Sequence, residues 1–499
     1  MDFEYIIVQA GGKGTRMEYL TANKPKCLVS VNKLPMLFHL FKKYPDKKFI
    51  IIGDYKYDVL REYLKAFAKV KYLLVNANGK PGTCAGISDA IGKIPYNKAF
   101  MLIWSDLILQ DSFIVPEKTD NYIGLSGDFS CRWKYENNVF EEEPSITYGV
   151  AGLFIFKSKA EIEGIDSEGE FVRWLKEKDI NFSEILLSKT KEYGLLSEYK
   201  KLPESRCRPF NSMTEKDGCI IKEGINEQGK SLAEWETKWY KHAKDIGVTG
   251  IPHIYSYNPI CMEKINGKNI FEYKLAKQEK TEVLSKIASM LKELHKKEKT
   301  EPDYFSIKEA YVTKTFARLS SIRDLIPFAH EKYININGKK CRNVFFFQRE
   351  FEEKAAMLPV KEFCLLHGDC TFSNLMLRSD KSPVMIDPRG YFGFTELYGD
   401  AAYDWSKLYY SVAGNYDQFN NGNFRLIIKD NSITLEIASN GWEDMEEEFF
   451  RLLDGEVEEW QVKFIHALIW LSLSTYAWDD YDSVCGAFYN GLFYLEDIL

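Results

Sequence analysis

The chain has 499 residues, too many for one ordinary hydrophobic core, so two or three domains are expected. Hydrophobic residues make up 45% and charged residues 28%, the balance of a soluble globular protein, and a net charge of −7 argues against a general nucleic-acid binder. Ten cysteines lie scattered without C-x-x-C or paired Cys/His spacing, which points to neither a zinc site nor a disulfide framework.

The opening MDFEYIIVQAGG carries no basic n-region or cleavable apolar segment, so export is not expected and a reduced, cytoplasmic setting is. Phe3 to Val8 reads as a strand that runs into Ala10-Gly11-Gly12-Lys13-Gly14-Thr15-Arg16. A strand entering a glycine-rich turn lets backbone N–H groups approach a phosphate chain closely. The spacing fits neither G-x-G-x-x-G nor the Walker pattern. Lys24-Pro25-Lys26-Cys27-Leu28 and Val31-Asn32-Lys33-Leu34-Pro35 follow. Strands at Lys48 to Gly53 and Lys71 to Val75 alternate with a helix at Tyr57 to Ala68 and another from Ile87 to Ile91, which implies a doubly wound parallel sheet. Ala99 to Trp104 is a buried strand ending in Ser105-Asp106, and a carboxylate at that end of a parallel strand faces the ligand crevice.

The GGxGTR turn, the PK-x-L step and the V-N-x-x-P run together resemble the sugar-phosphate and phosphocholine nucleotidyltransferases. The resemblance implies that Ala10, Gly11, Gly12, Gly14 and Thr15 wrap the nucleotide phosphates. Arg16 and Lys26 would offset charge as pyrophosphate leaves, and Asp106 would bind magnesium. Gly82-Thr83 resembles the base-reading turn of that family, although such a turn is also an ordinary helix N-cap. Glu192 and Glu198 are the late carboxylates available as a second metal ligand, and neither lies in a matching motif. Cys131 to Tyr135 reads as a solvated hairpin.

Leu202-Pro203-Glu204 is the expected hinge. Beyond it, Arg206 to Lys222 reads as a hairpin that turns at Lys216-Asp217-Gly218, with an amphipathic helix at Ser231 to Ala243. Ile260 to Ile265 is a further strand and Thr281 to Lys297 a second amphipathic helix. His367-Gly368-Asp369, Asn374, and Asp387 at the end of the strand Val384 to Ile386 supply a loop carboxylate, an amide oxygen and a second carboxylate. Phosphoryl transfer uses such groups as a base for the attacking hydroxyl and as oxygen ligands for magnesium. The order resembles the aminoglycoside phosphotransferase and choline kinase family. That likeness implies Asp369 as base and Asn374 with Asp387 on the metal. Lys222 would hold the nucleotide phosphates and pair with Glu236, Glu234 being the rival. Ser212 would touch phosphate, and the backbone near Glu263 would meet adenine. His295, His367 and Asp404 would be structural, and Arg389 would touch a phosphate or an anionic substrate. Phe464 to Trp478 is short and broken by polar residues, so a buried helix is expected and no membrane insertion. Trp470, Trp478, Asp479 and Tyr481 place aromatic rings beside a carboxylate, which could cage a cationic amine.

The expected fold is α/β: a Rossmann-like nucleotidyltransferase domain over 1–204 and a bilobal protein-kinase-like domain over 205–499, with an N-lobe at about 205–265 and a C-lobe from about 266. Two such activities in one chain imply consecutive steps. ATP would phosphorylate a small alcohol, choline- or ethanolamine-like by preference, and CTP or UTP would then activate that phosphate for polysaccharide decoration. A sugar 1-kinase joined to a sugar-1-phosphate nucleotidyltransferase is the alternative, and an inactive scaffold a third reading. Small alcohols and nucleotides are the expected partners, with no nucleic acid.

Overall fold

The computed structural model describes residues 2–202 and 211–499. The expected hinge after residue 202 and the start of the expected hairpin at 206–210 lie outside the described residues. The chain divides into two compact units, Met1–Glu204 with Asp479–Asp482, and Ser205–Trp478 with Ser483–Leu499.

In the first unit, β1 (Tyr5–Gln9) is followed by α1 (Met36–Lys43), β2 (Lys48–Gly53), α2 (Tyr57–Phe67), β3 (Lys71–Asn76), α3 (Cys84–Ile91) and β4 (Phe100–Trp104). β1, β2 and β4 are near-continuous apolar runs, as strands covered on both faces require. They pair in parallel in the order β3-β2-β1-β4. β5 (Tyr122–Ser126), the hairpin of β6 (Lys134–Glu136) and β7 (Val139–Glu141), β8 (Gly149–Phe156), α4 (Phe171–Lys176) and β9 (Ser183–Leu186) complete a nine-stranded sheet. The sheet is mixed rather than all parallel, because β8 runs antiparallel to both β4 and β5. No crossover helix precedes β8, which is reached from the β6–β7 hairpin, and a parallel return needs a crossover of about a dozen residues. Ile7, Ile52, Leu102, Phe154 and Phe156 from the sheet pack with Ile87, Phe171 and Trp174 from the helices. The hairpin at 131–135 is less solvated than expected, since Trp133 and Tyr135 are buried in this core.

β1 has β2 on one side and β4 on the other, so the winding reverses there. Open α/β sheets form their ligand crevice beyond the carboxyl ends of the strands at this reversal. Both the glycine loop after β1 and Ser105-Asp106 after β4 open onto it.

The turn before α3 is held from across the unit. Thr83 N and Cys84 N donate to Gly169 O at 2.8 and 3.0 Å. Gly82 has φ +84°, and a Cβ there would meet Gly169 O at 2.1 Å. Gly79 also has a positive φ, +67°, but nothing lies within 4 Å of its Cβ position. We predict that Gly82→Ala costs about 3 kcal/mol through strain and clash together, while Gly79→Ala costs about 1 kcal/mol through strain alone. Thermal denaturation of the two variants checks the contrast.

In the second unit, β10 (Asn211–Lys216) and β11 (Cys219–Gly224) form a hairpin closed by Asp217 and Gly218, at φ 51° and 75°, the positive pair that a tight two-residue turn demands. β12 (Ile254–Tyr257) and β13 (Ile260–Glu263) extend it to a sheet of order β10-β11-β13-β12. Between them α5 (Glu227–Asp245) starts where Asn226 Oδ1 accepts from Gly229 N at 2.8 Å. Then come β14 (Gly267–Asn269), α6 (Lys277–Lys297), α7 (Lys314–Ile322), β15 (Phe363–Leu365), β16 (Leu375–Arg378), β17 (Pro383–Met385), α8 (Ala401–Val412) and α9 (Glu459–Tyr476). α5 and α6 begin four residues earlier than their apolar stripes suggest, because polar first turns carry no periodic signal. A four-stranded sheet of residues 333–336, 339–342, 424–429 and 432–437 went unanticipated. Among the described residues no helix is long and apolar enough to cross a membrane.

Candidate active sites

In the first unit the chain turns sharply after β1. Gly14 has φ +63°, and a Cβ there would press on the Lys26 stem at 2.9 Å, so the loop lies directly over that lysine. Lys26 Nζ forms an ion pair with Asp106 Oδ2. Lys191–Glu192 pairs antiparallel with Leu107–Ile108, and Tyr193 N donates to Asp106 O at 3.1 Å. This brings Glu192 beside Asp106. Burial and the Asp106 charge raise the Glu192 carboxyl, and Lys26 and Arg16 pull it back. The crevice thus unites Arg16, Lys26, Asp106 and Glu192. Of the two late carboxylates, Glu192 is the one at the site, and only its pairing with the segment after Asp106 marks it. Gly82 and Thr83 sit on the neighbouring turn. The Thr83 hydroxyl accepts from Phe171 N at 2.9 Å and makes no cap bond to α3, so the turn is tied to α4 rather than being a simple N-cap.

In the second unit the loop between β15 and β16 is held by one buried carboxylate. Asp404 Oδ2 accepts from His367 N at 2.9 Å and Asp404 Oδ1 from Gly368 N at 2.7 Å. His367 Nε2 lies 2.9 Å from Ile386 O, and Asp369 N donates to His367 Nδ1 at 3.3 Å. Burial lowers the His367 pKa, so the ring is neutral with its proton on Nε2. The loop so fixed presents Asp369. Asn374 Nδ2 donates to Asp369 Oδ2 at 2.9 Å, and Lys407 Nζ lies 2.9 Å from Asp369 Oδ1. Asp387 follows β17 at φ 56°, a strained conformation for a side-chain-bearing residue. Lys222 Nζ sits 2.7 Å from both Glu236 Oε2 and Asp387 Oδ1. Although burial opposes its charge, these two carboxylates hold Lys222 protonated. Burial lifts Glu236 to about 7 against the pull of Lys222.

Other expected residues fall less simply. Glu263 gives its carboxylate to an Arg378 fork and its N–H to His253 O at 2.8 Å, so any adenine contact would fall to neighbouring backbone. Ser212 stands on β10 opposite Glu223. Arg389 Nη1 and Nη2 donate to the Tyr403 and Tyr391 hydroxyls at 2.8 and 3.0 Å. The aromatic cage is a correction. Trp470 is fully buried, its Nε1 donating to His466 at 2.9 Å and its ring packed 4.7 Å from Tyr410. Tyr481 is also buried, and Trp478 and Asp479 fall in different units. Lys407, three residues after Asp404, is a neighbour of Asp369 that the sequence did not mark.

Magnesium suits both places chemically. Asp106 with Glu192, and Asp387 with the oxygen of Asn374, are hard-oxygen pairs. Among the described residues no group of three or more His, Cys, Asp or Glu is placed to hold a metal ion.

His295 completes the support of the loop. Its Nε2 lies 3.2 Å from Asp404 Oδ2 and its Nδ1 2.9 Å from Glu456 Oε1. Burial disfavours its charge, but these bonds raise its pKa to about 9. Because the folded value exceeds the unfolded one, the stability this contributes is full below about pH 6.5 and is lost as pH rises through about 9. Thermal midpoints of the second unit should therefore fall between pH 7 and pH 10. His295→Gln should cost about 3 kcal/mol at pH 7 by leaving a buried charge uncompensated, and should flatten that dependence.

Residues 5–119 match the family described as nucleotidyl transferase. D-glycero-alpha-D-manno-heptose 1-phosphate guanylyltransferase of Campylobacter jejuni is 32% identical over 100 residues, 19% of this chain and 45% of that protein. Bifunctional protein GlmU of Methanococcus maripaludis is 28% identical over 123 residues, 24% of this chain and 29% of that protein. Among solved structures, CTP:phosphocholine cytidylyltransferase from Streptococcus pneumoniae matches at 20% identity and TM-score 0.33, over 40% of this chain and 98% of that one. The chain thus spans less than half the length of the curated relatives it matches. Its N-terminal part is a nucleotidyltransferase domain with a Rossmann-like α/β fold.

Proposed function

We propose that the chain is a two-step enzyme that phosphorylates a small alcohol with ATP and then transfers a nucleotidyl group from CTP or UTP to the phosphate formed. The observation that carries this reading is the coexistence of two separate phosphate-directed constellations: Arg16, Lys26, Asp106 and Glu192 at the reversal of one sheet, and Lys222, Glu236, Asp369, Asn374 and Asp387 in the second unit. The domains proposed are 1–204 for nucleotidyl transfer and 205–499 for phosphorylation, in a cytoplasmic protein that serves polysaccharide decoration.

In the second unit Asp369 accepts the proton of the attacking hydroxyl. Asn374 orients that carboxylate, and Lys222 holds the nucleotide phosphates while Glu236 holds Lys222. In the first unit the acceptor's phosphate attacks the α-phosphorus in line, and Arg16 and Lys26 offset the charge that develops on the departing pyrophosphate. The backbone from Ala10 to Thr15 cradles the phosphate chain, and Gly82-Thr83 lies where a base would be read. Magnesium, when bound at either oxygen pair, would supply further positive charge to the phosphate oxygens. The name of the Campylobacter relative favours a second version, in which the alcohol is a sugar and the product a nucleoside diphosphate sugar.

Asp369→Asn should lower phosphorylation at least about a thousandfold and leave nucleotidyl transfer to a supplied phosphate ester intact. Asp106→Ala should do the reverse and let the phosphorylated intermediate accumulate. Mass spectrometry of product mixtures reads both, and loss of both activities in either variant would refute independent sites.

A further inference from the structure

The loop that presents Asp369 is bound to Arg389, and Arg389 belongs to a cluster of cations with Lys314 and Arg318. The Arg389 N–H donates to His367 O at 2.8 Å, and its stem packs where a Gly368 Cβ would be, 2.8 Å away. Its guanidinium lies 4.6 Å from the Tyr391 ring centroid, and Lys314 Nζ lies 5.6 Å from that centroid. Lys314 and Arg318 stand four residues apart on α7, hence on one helix face. Arg318 donates to the Tyr476 hydroxyl at 2.8 Å and stacks 4.2 Å from its ring centroid. Among the described residues, none of Arg389, Lys314 and Arg318 has a carboxylate partner; the groups that meet them are tyrosines. Lys407 is the one cation of this group paired with an acid, Asp369 itself.

Like charges at this spacing repel, and Lys314 registers it, its pKa lowered by burial and then by Arg389. Tyr476 registers the same field: burial pushes its hydroxyl up, yet Arg389, Arg318 and Lys314 bring it down to about 7. Cations kept together with no carboxylate between them form a receptor for an anion. They are also a barrier to a quaternary ammonium, which would need carboxylates or uncharged aromatic faces in their place.

We infer that the alcohol phosphorylated at Asp369 bears an acidic group, carboxylate or phosphate, seated among Arg389, Lys314 and Arg318. This rests on the kinase reading above and reverses its preference for an amino-alcohol. The hydroxyl oxygen bonds to the γ-phosphorus of ATP as its proton passes to Asp369. The bond from that phosphorus to the β,γ-bridging oxygen breaks, and ADP leaves with the electron pair.

The test gives the full chain Mg-ATP and four pools: small hydroxy acids, phosphorylated polyols and sugars, neutral polyols and hexoses, and amino-alcohols including choline. ADP release and product masses are read. Turnover in the first or second pool at least about tenfold above the other two supports the inference, and which of the two responds identifies the acidic group as carboxylate or phosphate. Preferred turnover of neutral compounds or amino-alcohols overturns it and leaves the kinase standing. ATP consumption with no pool overturns the kinase reading, and the inference with it. With the best acidic acceptor, Lys314→Gln and Arg318→Gln should each raise its KM about tenfold with KM for ATP within about twofold, and Arg318→Lys should recover most of the loss. A rise confined to KM for ATP would assign these cations to the nucleotide and overturn the inference. Unchanged thermal midpoints exclude misfolding as the cause.

Discussion

The second unit depends on what Asp404 does with a charge that has no access to water. An isolated buried carboxylate would be severely destabilising, and it persists because two backbone N–H groups and one imidazolium meet it. Those N–H groups belong to His367 and Gly368, so satisfying Asp404 and shaping the loop that presents Asp369 are the same event. Gly368 turns at φ +81°, and Arg389 packs against it where any side chain would intrude. Replacing either contact would move Asp369 by way of the backbone.

The first unit solves a comparable problem by topology. Winding outward in both directions from β1 leaves a gap beyond its carboxyl end and that of β4, and two short loops fill it with opposite charges. Lys26 neutralises Asp106, while Glu192, arriving on a two-residue pairing, stays partly uncompensated. A pair of carboxylates sharing one lysine beside an exposed arginine is incomplete without further cationic charge. That is the electrostatic condition under which a magnesium nucleotide binds well.

Much of this was legible because it is local. Strands such as Lys48–Gly53 are written as apolar runs, and the Asp217-Gly218 turn as a residue pair that tolerates positive φ. The pairing of Lys222 with Glu236 followed from the family resemblance, which left Glu234 as a rival, and the 2.7 Å contact selects Glu236. Glu192 could not, since nothing in its neighbourhood records that residues 191–192 add to the segment after Asp106. Trp470 misled in the opposite way: an aromatic near carboxylates in sequence reads as a cation site, but a helix apolar nearly all round puts its rings in the core. Sequence distance hid Lys314 and Arg318 altogether, because only packing brings them against Tyr391 and Tyr476.

The charge around Asp369 also bears on how such a site can work. Lys407 Nζ holds the Asp369 carboxylate from 2.9 Å. Under the proposed reading, the acceptor's acidic group would neutralise Arg389 and its neighbours on binding, so that the correct substrate completes a charge balance that an uncharged or cationic alcohol leaves open.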